Sequence, residues 1–380
     1  MGDFLYCVLI RKVLYYHRRR VVYLLKEASG ILFFTDFHAH LFSEFAKPSN
    51  HYYTDRFETQ MKVLQGILET ARARNYGIVF GGDLFHKRTA VDIRVFNAVY
   101  LMFAKYSNEI PFTYLLRGNH DSFDNSMGSD SSLDTFQTLP NVEVISTPTV
   151  SEVTLNGINK KLYFMPYGEE IDNMKATLAK FGEEAKGQKS VLIAHLGIDG
   201  ASQGMSNHRL ASAFTVDDLH SESYDLVYLG HFHARQTLIS EPTRVFYGGS
   251  TIQLTFNDEG QEKGYDLYDG TELTFVPVET PKFTTFDHWG EDTQEAIDAG
   301  NYIRLQLPEK DAKRITLEAK QEESQMLDNI RIEAQANFEV ETRLDIKADN
   351  TPVQVTDTYT KTYYPAYHDE AINIIKGVLD

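Results

Sequence analysis

Five short polar clusters follow one another along the chain: Asp36-Phe37-His38, Gly82-Asp83-Leu84-Phe85-His86, Gly118-Asn119-His120-Asp121, Ala194-His195 and Gly230-His231-Phe232-His233. Carboxylate, amide oxygen and imidazole together make a ligand set for hard or borderline divalent cations such as Mn, Fe or Zn, and not for thiolate chemistry. Seven such ligands are too many for one tetrahedral ion. They suit two cations sharing a bridging carboxylate, held about 3.5–4 Å apart as in two-metal hydrolases.

Each cluster alone has an ordinary explanation. A lone Asp-x-His or buried His is usually a satisfied structural residue. Gly-Asn-His-Asp alone reads as a turn, because Asn and Gly favour such positions. Gly-His-x-His alone is equally weak. The signal lies in all five occurring in one order, each after an apolar strand.

The elements that would position these residues are short strands alternating with helical stretches from residue 31 to about 280, a layered α/β pattern. Strands are predicted at Ile31–Phe34, Gly77–Phe80, Phe112–Leu116, Lys161–Met165, Val191–Ala194 and Leu226–Leu229. Helices are predicted over Arg56–Arg74 and Val91–Tyr106. Every one of these strands ends at a cluster with His, Asp or Asn except Lys161–Met165, which runs into Pro166-Tyr167-Gly168. In open α/β folds such strand ends are where ligands bind. Gly82, Gly118 and Gly230 sit where a strand must turn sharply and a side chain would obstruct close approach.

Beyond a hairpin over Tyr265–Val278 turning at Asp269-Gly270, the texture changes. Pro281–Glu291 reads as a linker. A strand at Tyr302–Leu307, a charged helix over Asp311–Met326 and strands near Ile330–Glu333 and Glu339–Ile346 make a small α+β module. The chain closes on a helical tail, Asp369–Leu379, whose apolar residues are Ile372, Ile374, Ile375 and Val378. At the other end, residues 1–30 carry six Lys/Arg against two acids in a chain of net charge −17. They read as an N-terminal extension, either an added amphipathic element or sequence upstream of the real start.

A chain of 380 residues, 42% of them hydrophobic, favours two folded domains over one and excludes a disordered protein. Val21–Leu25 is far too short to cross a bilayer. No signal peptide is recognised, since the apolar Phe4–Ile10 stretch precedes its basic residues. A single cysteine, Cys7, excludes an internal disulfide and fits a reducing cytoplasm. The acidity excludes a protein that coats nucleic acid by bulk electrostatics, so any contact with DNA must be local.

The five clusters, in this order, resemble the pattern of calcineurin-like metallophosphoesterases: Asp-x-His, Gly-Asp, Gly-Asn-His-Asp/Glu, His and Gly-His-x-His. Gly82-Asp83-Leu84-Phe85-His86 is similar to the nuclease branch, whereas protein phosphatases follow Gly-Asp with a Val-Asp-Arg-Gly type sequence. Gly249-Ser250-Thr251, Phe256-Asn257-Asp258-Glu259 and Lys263-Gly264 extend the resemblance to SbcD-type nucleases, the meiotic-recombination-eleven family. The resemblance covers residues 31 to about 268.

That resemblance implies a layered β-sandwich flanked by helices, followed by the small α+β capping domain. The implied domains are 31–280 nuclease, 281–350 cap and 351–380 an ATPase-binding tail, compact as in bacteriophage versions. One cation would be held by Asp36, His38, Asp83 and His233, and the other by Asp83, Asn119, His195 and His231, with Asp83 bridging. Mn²⁺ is the expected pair, with Mg²⁺, Fe²⁺ or Zn²⁺ as alternatives. His120 would be the general acid, oriented by Asp121, and His86 would touch a DNA phosphate. A water between two cations becomes acidic enough to attack phosphorus near neutral pH, and a His outside the ligand set can protonate the departing oxygen. Lys87 and Arg88 either bind phosphate, the favoured reading, or face water, while His40, His51, His208 and His220 receive no role. The implied partners are DNA, an SbcC-type coiled-coil ATPase and a second copy of the chain, in the cytoplasm. Two other functions stay open: a small-molecule or cyclic-nucleotide phosphodiesterase, and an inactive scaffold recruiting an ATPase to DNA.

Overall fold

The computed structural model describes residues 26–49, 52–202, 213–321, 329–335 and 350–379. Its strands are β1 (Lys26–Ala28), β2 (Gly30–Phe34), β3 (Tyr76–Phe80), β4 (Thr113–Leu116), β5 (Val142–Ile145), β6 (Thr149–Leu155), β7 (Ile158–Met165), β8 (Ser190–His195), β9 (Leu226–Gly230), β10 (Gln236–Ile239), β11 (Arg244–Tyr247), β12 (Gly264–Tyr268) and β13 (Leu273–Pro277). They form two sheets, one in the order β13-β12-β2-β3-β4-β5 and the other β1-β6-β7-β8-β9-β11-β10. The strands that end at the polar clusters, β2, β3 and β4 in the first sheet and β8 and β9 in the second, are parallel to their neighbours within that set. Their carboxyl ends therefore meet at one edge of the molecule.

Alternation along each strand explains the layering. In β2, Ile31 and Phe33 face the second sheet, while Leu32 and Phe34 face helices α1 (Asp55–Arg74) and α2 (Ile93–Tyr106). Between the sheets the Phe33 ring stacks on Tyr228 with centroids 4.8 Å apart, and Tyr114 meets Phe164 at 5.0 Å. Helix α3 (Ile171–Ala185) covers the outer face of the second sheet through Met174, Leu178 and Phe181. This is the expected sandwich flanked by helices.

Several expectations need correction. The first structural residues precede Ile31, because β1 pairs in parallel with β6 and Lys26 contacts Glu143 at 2.6 Å. Three apolar and polar residues without a period were too short to read as a strand; only residues 1–25 of the expected extension lie outside the described residues. Pro281–Glu291 is no free linker, since it contains β14 (Phe283–Phe286). That strand joins β15 (Tyr302–Pro308) and β16 (Ile330–Gln335) in a sheet whose described strands are all parallel, with α4 (Glu291–Asp298) and α5 (Glu309–Gln321) in the crossovers. The strand expected at Glu339–Ile346 lies outside the described residues. The tail is a pair of helices, α6 (Pro352–Tyr363) and α7 (His368–Leu379), and the first was not foreseen. No helix among the described residues is long and apolar enough to cross a membrane.

The segment after β11 braces the polar edge. Lys263 is buried, and its Nζ contacts Asp258 Oδ1 at 2.7 Å while donating to the carbonyl of His233 at 2.7 Å. The other Asp258 oxygen accepts from the backbone N–H of Leu254 and Thr255. Burial lowers the Lys263 pKa, and the Asp258 charge offsets part of that effect. Asp258→Ala should therefore destabilise the protein by about 3–5 kcal/mol, the usual result of stranding one partner of a buried pair. Denaturant unfolding measures it, and a change below about 1 kcal/mol, the size of an exposed pair, would show that the pair carries no such weight.

Candidate metal centre

The site begins as backbone. Asp36 N–H donates to Gly82 O at 2.9 Å, and His38 N–H to Asp83 O at 3.0 Å, which lays the ends of β2 and β3 side by side. Asp36, His38 and Asp83 have φ of 50°, 49° and 62°, and His231 has φ of 106°. Side chains other than glycine rarely take this region, and such strain clusters at functional sites. The glycines here are explained by contact with side chains. A Cβ on Gly82 would lie 2.2 Å from His195 Nδ1, and one on Gly118 would lie 2.1 Å from Asp83 Oδ1.

Asp121 holds the next loop to this pair. Its carboxylate is fully buried and accepts from the N–H of Asp83 (2.8 Å), Leu84 (2.9 Å), Phe85 (3.3 Å) and Gly118 (3.0 Å). Burial and the neighbouring Asp83 charge push its pKa up to about 6, against those hydrogen bonds. Gln60 of α1 holds the loop after β2 in a similar way. Its Nε2 donates to the carbonyls of Phe37 (3.3 Å) and His38 (3.1 Å), and its Oε1 accepts from His40 N–H (3.2 Å).

On this frame the seven expected ligands converge. Donor atoms of Asp36, His38 and His233 lie within 4.8 Å of one another, and so do those of Asp36, Asp83 and His195. Asp83 Oδ2 faces both sides, 3.7 Å from His38 Nε2 and 3.4 Å from His195 Nε2. Asn119 Oδ1 stands 3.1 Å from His195 Nε2 and 3.0 Å from His231 Nδ1. His195 Nδ1 donates to Gly81 O at 2.8 Å, which turns Nε2 toward the centre.

The residues fit a pair of divalent cations. His38 Nε2 and His233 Nε2 confront each other at 3.0 Å, two basic nitrogens at a distance that needs a proton or a cation between them. Asp36 and Asp83 are buried in the same pocket, an arrangement that needs positive charge close by. Burial opposes ionisation of Asp83, yet the imidazoles of His195 and His38 hold its pKa below the usual carboxylate range. Burial disfavours protonation of His195, yet the Asp83 and Asp36 carboxylates push its pKa up to about 9. His38 is held well below the ordinary imidazole value by burial, and burial with the His195 charge brings His231 down to about 4.

Residues 30–235, over half of the chain, match the profile of the calcineurin-like phosphoesterases. The chain belongs to that family. Among curated proteins this phosphoesterase is 28% identical to exonuclease subunit 1 of Enterobacteria phage T4 over 210 residues, 52% of this chain and 55% of that one. It is 30% identical to the SbcD component of the nuclease SbcCD of Staphylococcus epidermidis over 152 residues, 37% of this chain and 38% of that one. The matched stretch thus spans about half or less of these relatives' lengths. Among solved structures, a dimetal phosphatase from Danio rerio matches with a TM-score of 0.40 at 9% identity, covering 65% of this chain and 98% of that one.

In this phosphoesterase His120 stands beside the expected ligands, its ring 4.8 Å from that of His38, with Nδ1 2.7 Å from the His86 carbonyl. That carbonyl can only accept, so the bond orients His120. Asp121 was expected to do so and does not. Its oxygens are taken by backbone N–H groups, and adjacency in sequence sent the two side chains different ways. His86 lies at the same edge, 5.9 Å from His120 between ring centroids. Lys87 is exposed, but Arg88 donates to Asn119 O at 2.8 Å and also bonds Asn125, so it supports the Asn119 backbone where a phosphate contact was favoured. His220 lies elsewhere, packed beside Gly182, and His51 and His208 fall outside the described residues.

Two residues near the centre were missed. Gln60 is a polar residue on the buried face of α1 between Phe57 and Leu64, and that misplaced polarity was the available signal. Tyr167, from the one strand end without His, Asp or Asn, sets its ring 5.8 Å from that of His231. The Asp121 geometry generates a test. Asp121→Asn places an NH₂ among N–H donors and should weaken Mn²⁺ binding about 10–100-fold, as loss of a ligand-supporting hydrogen bond does. Calorimetric Mn²⁺ titration checks this. Unchanged affinity, with an activity defect cured by an acidic leaving group, would return Asp121 to a role through His120.

Proposed function

We propose that this phosphoesterase is a two-cation DNA nuclease, the SbcD-type subunit of an end-processing complex, with both exonuclease and endonuclease action. The carrying observation is the Asp83 carboxylate facing His38 on one side and His195 on the other, with His120 beside them and outside the ligand set. The nuclease names of the two curated relatives and the Gly-Asp-Leu-Phe-His sequence support DNA as substrate.

In this reading Asp36, His38, Asp83 and His233 hold one cation and Asp83, Asn119, His195 and His231 the other, with Mn²⁺ the favoured ion. When bound, such a pair lowers the pKa of a water for attack on phosphorus and offsets charge on the phosphoryl oxygens. The chain's own residues do the rest. Asp83 fixes the spacing of the two subsites, and Arg88 holds Asn119 through its carbonyl. His120 keeps Nδ1 on the His86 carbonyl and presents Nε2 for a proton. As the new P–O bond forms and the P–O bond to the sugar breaks, that proton passes from His120 Nε2 to the departing oxygen. His86 contacts the neighbouring phosphate. The parallel three-stranded unit acts as the cap, and the chain works as a dimer with an SbcC-type ATPase in the cytoplasm.

The net charge of −17 favours a second reading, a phosphodiesterase of mononucleotide or cyclic-nucleotide esters. Purified protein with Mn²⁺ should cut linear duplex DNA in preference to mononucleotide diesters, and the opposite preference would establish the second reading. His120→Asn should keep both cations and DNA-end binding while cleavage falls about 10²–10⁴-fold, the usual contribution of acid–base catalysis. The defect should shrink on a nitrophenyl phosphodiester, whose leaving group departs without a proton. Loss of metal in this variant would make His120 a ligand.

The tail supports the ATPase partner. Ile374 and Val378 are 62% and 74% exposed on α7, Ile372 and Ile375 are half-buried, and Tyr359, Tyr363, Tyr364 and Tyr367 add exposed aromatic surface. Truncation after Tyr367 should abolish co-purification with an SbcC-type ATPase while leaving the nuclease folded. Full retention of the complex by the truncated chain would remove the tail from the interface.

A further inference from the structure

One group of nitrogens at the centre is only partly used by the two-cation ligand set, which takes His38 but neither His86 nor His120. A ring nitrogen from each of His38, His86 and His120 lies within 4.8 Å of the others. Their ring centroids are 5.5 Å (His38 to His86), 4.8 Å (His38 to His120) and 5.9 Å (His86 to His120) apart. Two features show that these rings are incompletely used by the protein. His38 Nδ1 and His86 Nδ1 are buried without a hydrogen-bond partner among the described residues. His120 spends Nδ1 on the His86 carbonyl and has Nε2 left.

The donor chemistry here differs from that beside it. The neighbouring groups contain carboxylates from Asp36 and Asp83, and oxygen donors suit Mn²⁺ and Mg²⁺. His38, His86 and His120 offer nitrogen alone. Three imidazoles with an open fourth position are a zinc donor set, and at a nitrogen site Zn²⁺ binds more tightly than Mn²⁺. We propose that His38, His86 and His120 form an inhibitory zinc site that shares His38 with the first cation position. The inference rests on the two-cation reading for its effect, because zinc there draws on His38, a ligand of the first cation, and occupies His120, the proton donor. No bond of the substrate and no redox change is involved. Zinc taken up at this group makes the nuclease depend on the ratio of Zn²⁺ to Mn²⁺.

The test uses the full chain. Wild type, His86→Ala and His120→Asn are loaded with Mn²⁺, the bound metal is counted, and ZnCl₂ is then titrated while bound zinc and manganese are followed by elemental analysis and calorimetry. Two Mn²⁺ per chain in a variant before zinc is added shows that its pocket is intact, and the second variant substitutes for one that fails this count. The expected result is zinc affinity at least about tenfold weaker in the variants than in wild type, the lower end of what loss of even a supporting hydrogen bond does to a metal site. In wild type, inhibition of DNA cleavage should track zinc uptake and be reversed by a zinc-selective chelator. Equal zinc affinity in wild type and both variants overturns the proposal, since zinc would then simply replace manganese at its own positions. A wild-type chain that takes up no manganese refutes the two-cation reading instead, while the comparison of zinc affinities still decides whether the three histidines bind zinc.

Discussion

The centre depends on one buried carboxylate that touches no proposed cation position. Asp121 gathers four N–H groups, three from the turn after β3 and one from the turn after β4. Those turns carry Asp83 and Asn119, ligands of both proposed cations, and His120. The arrangement solves a conflict. Asp83 must point a carboxylate into a pocket already holding Asp36, which requires a left-handed backbone at the end of a strand. An unsupported turn of that kind would relax, exposing N–H groups that nothing else satisfies. Four charge-assisted hydrogen bonds make the strained turn the favourable one. Their combined pull opposes the burial and the Asp83 charge that push Asp121 up to about 6. The carboxylate is thus held where its own ionisation is difficult, a sign that it is retained for geometry.

A second chain of contacts reaches from the centre to the three-stranded unit. On α1, Gln60 holds the backbone of Phe37–His40 and, one turn earlier, Arg56 is buried. Arg56 donates to Glu44 O at 3.1 Å and also bonds Leu254 O, and it lies over the rings of Phe42 (3.9 Å), Phe283 (5.1 Å) and Tyr302 (5.2 Å). Burial lowers its pKa to about 10, which still leaves it charged at neutral pH. Phe283 and Tyr302 belong to the three-stranded unit. The same helix therefore fixes both the ligand loop and that unit, joined on the other side by Glu259 to Thr285 (2.6 Å) and Arg304 (3.7 Å). A displacement of the unit cannot leave α1 undisturbed, because a buried cation has few other places to find carbonyls and aromatic faces.

What the sequence made legible follows from where its information is local. Strand ends that put Asp, Asn or His after an apolar run pointed to all seven residues that converge at the centre, since such residues have few reasons to stand there. The layering was legible because β2, β3, β8 and β9 are apolar runs covered on both faces. Of the four edge strands of the two sheets, only β13 was legible, through its hairpin with β12. Strand β1 is three residues long, β10 is half-exposed, and β5 holds a Glu, so each resembles loop until a neighbour pairs with it. The error over Asp121 has a related cause. Adjacent residues in a turn point in different directions, and only the folded chain shows that Asp121 turns inward to the backbone while His120 turns toward His38.

The acidity of the chain acquires a local meaning from these contacts. Arg88, Arg56 and Lys263, basic groups near the centre, are each consumed by protein carbonyls or by Asp258. Exposed Lys87 is the remaining basic residue of the Gly82–Arg88 turn. On the proposed reading a phosphodiester is therefore gripped by the cations and the imidazoles of His86 and His120, with few lysine or arginine contacts. Binding through few such contacts releases few counterions and depends weakly on salt. It depends strongly on the metals instead. A strongly negative protein of this kind gains little by capturing DNA along its length; its affinity is concentrated at the point of cleavage, where the same positive charge that binds the phosphate also stabilises the transition state.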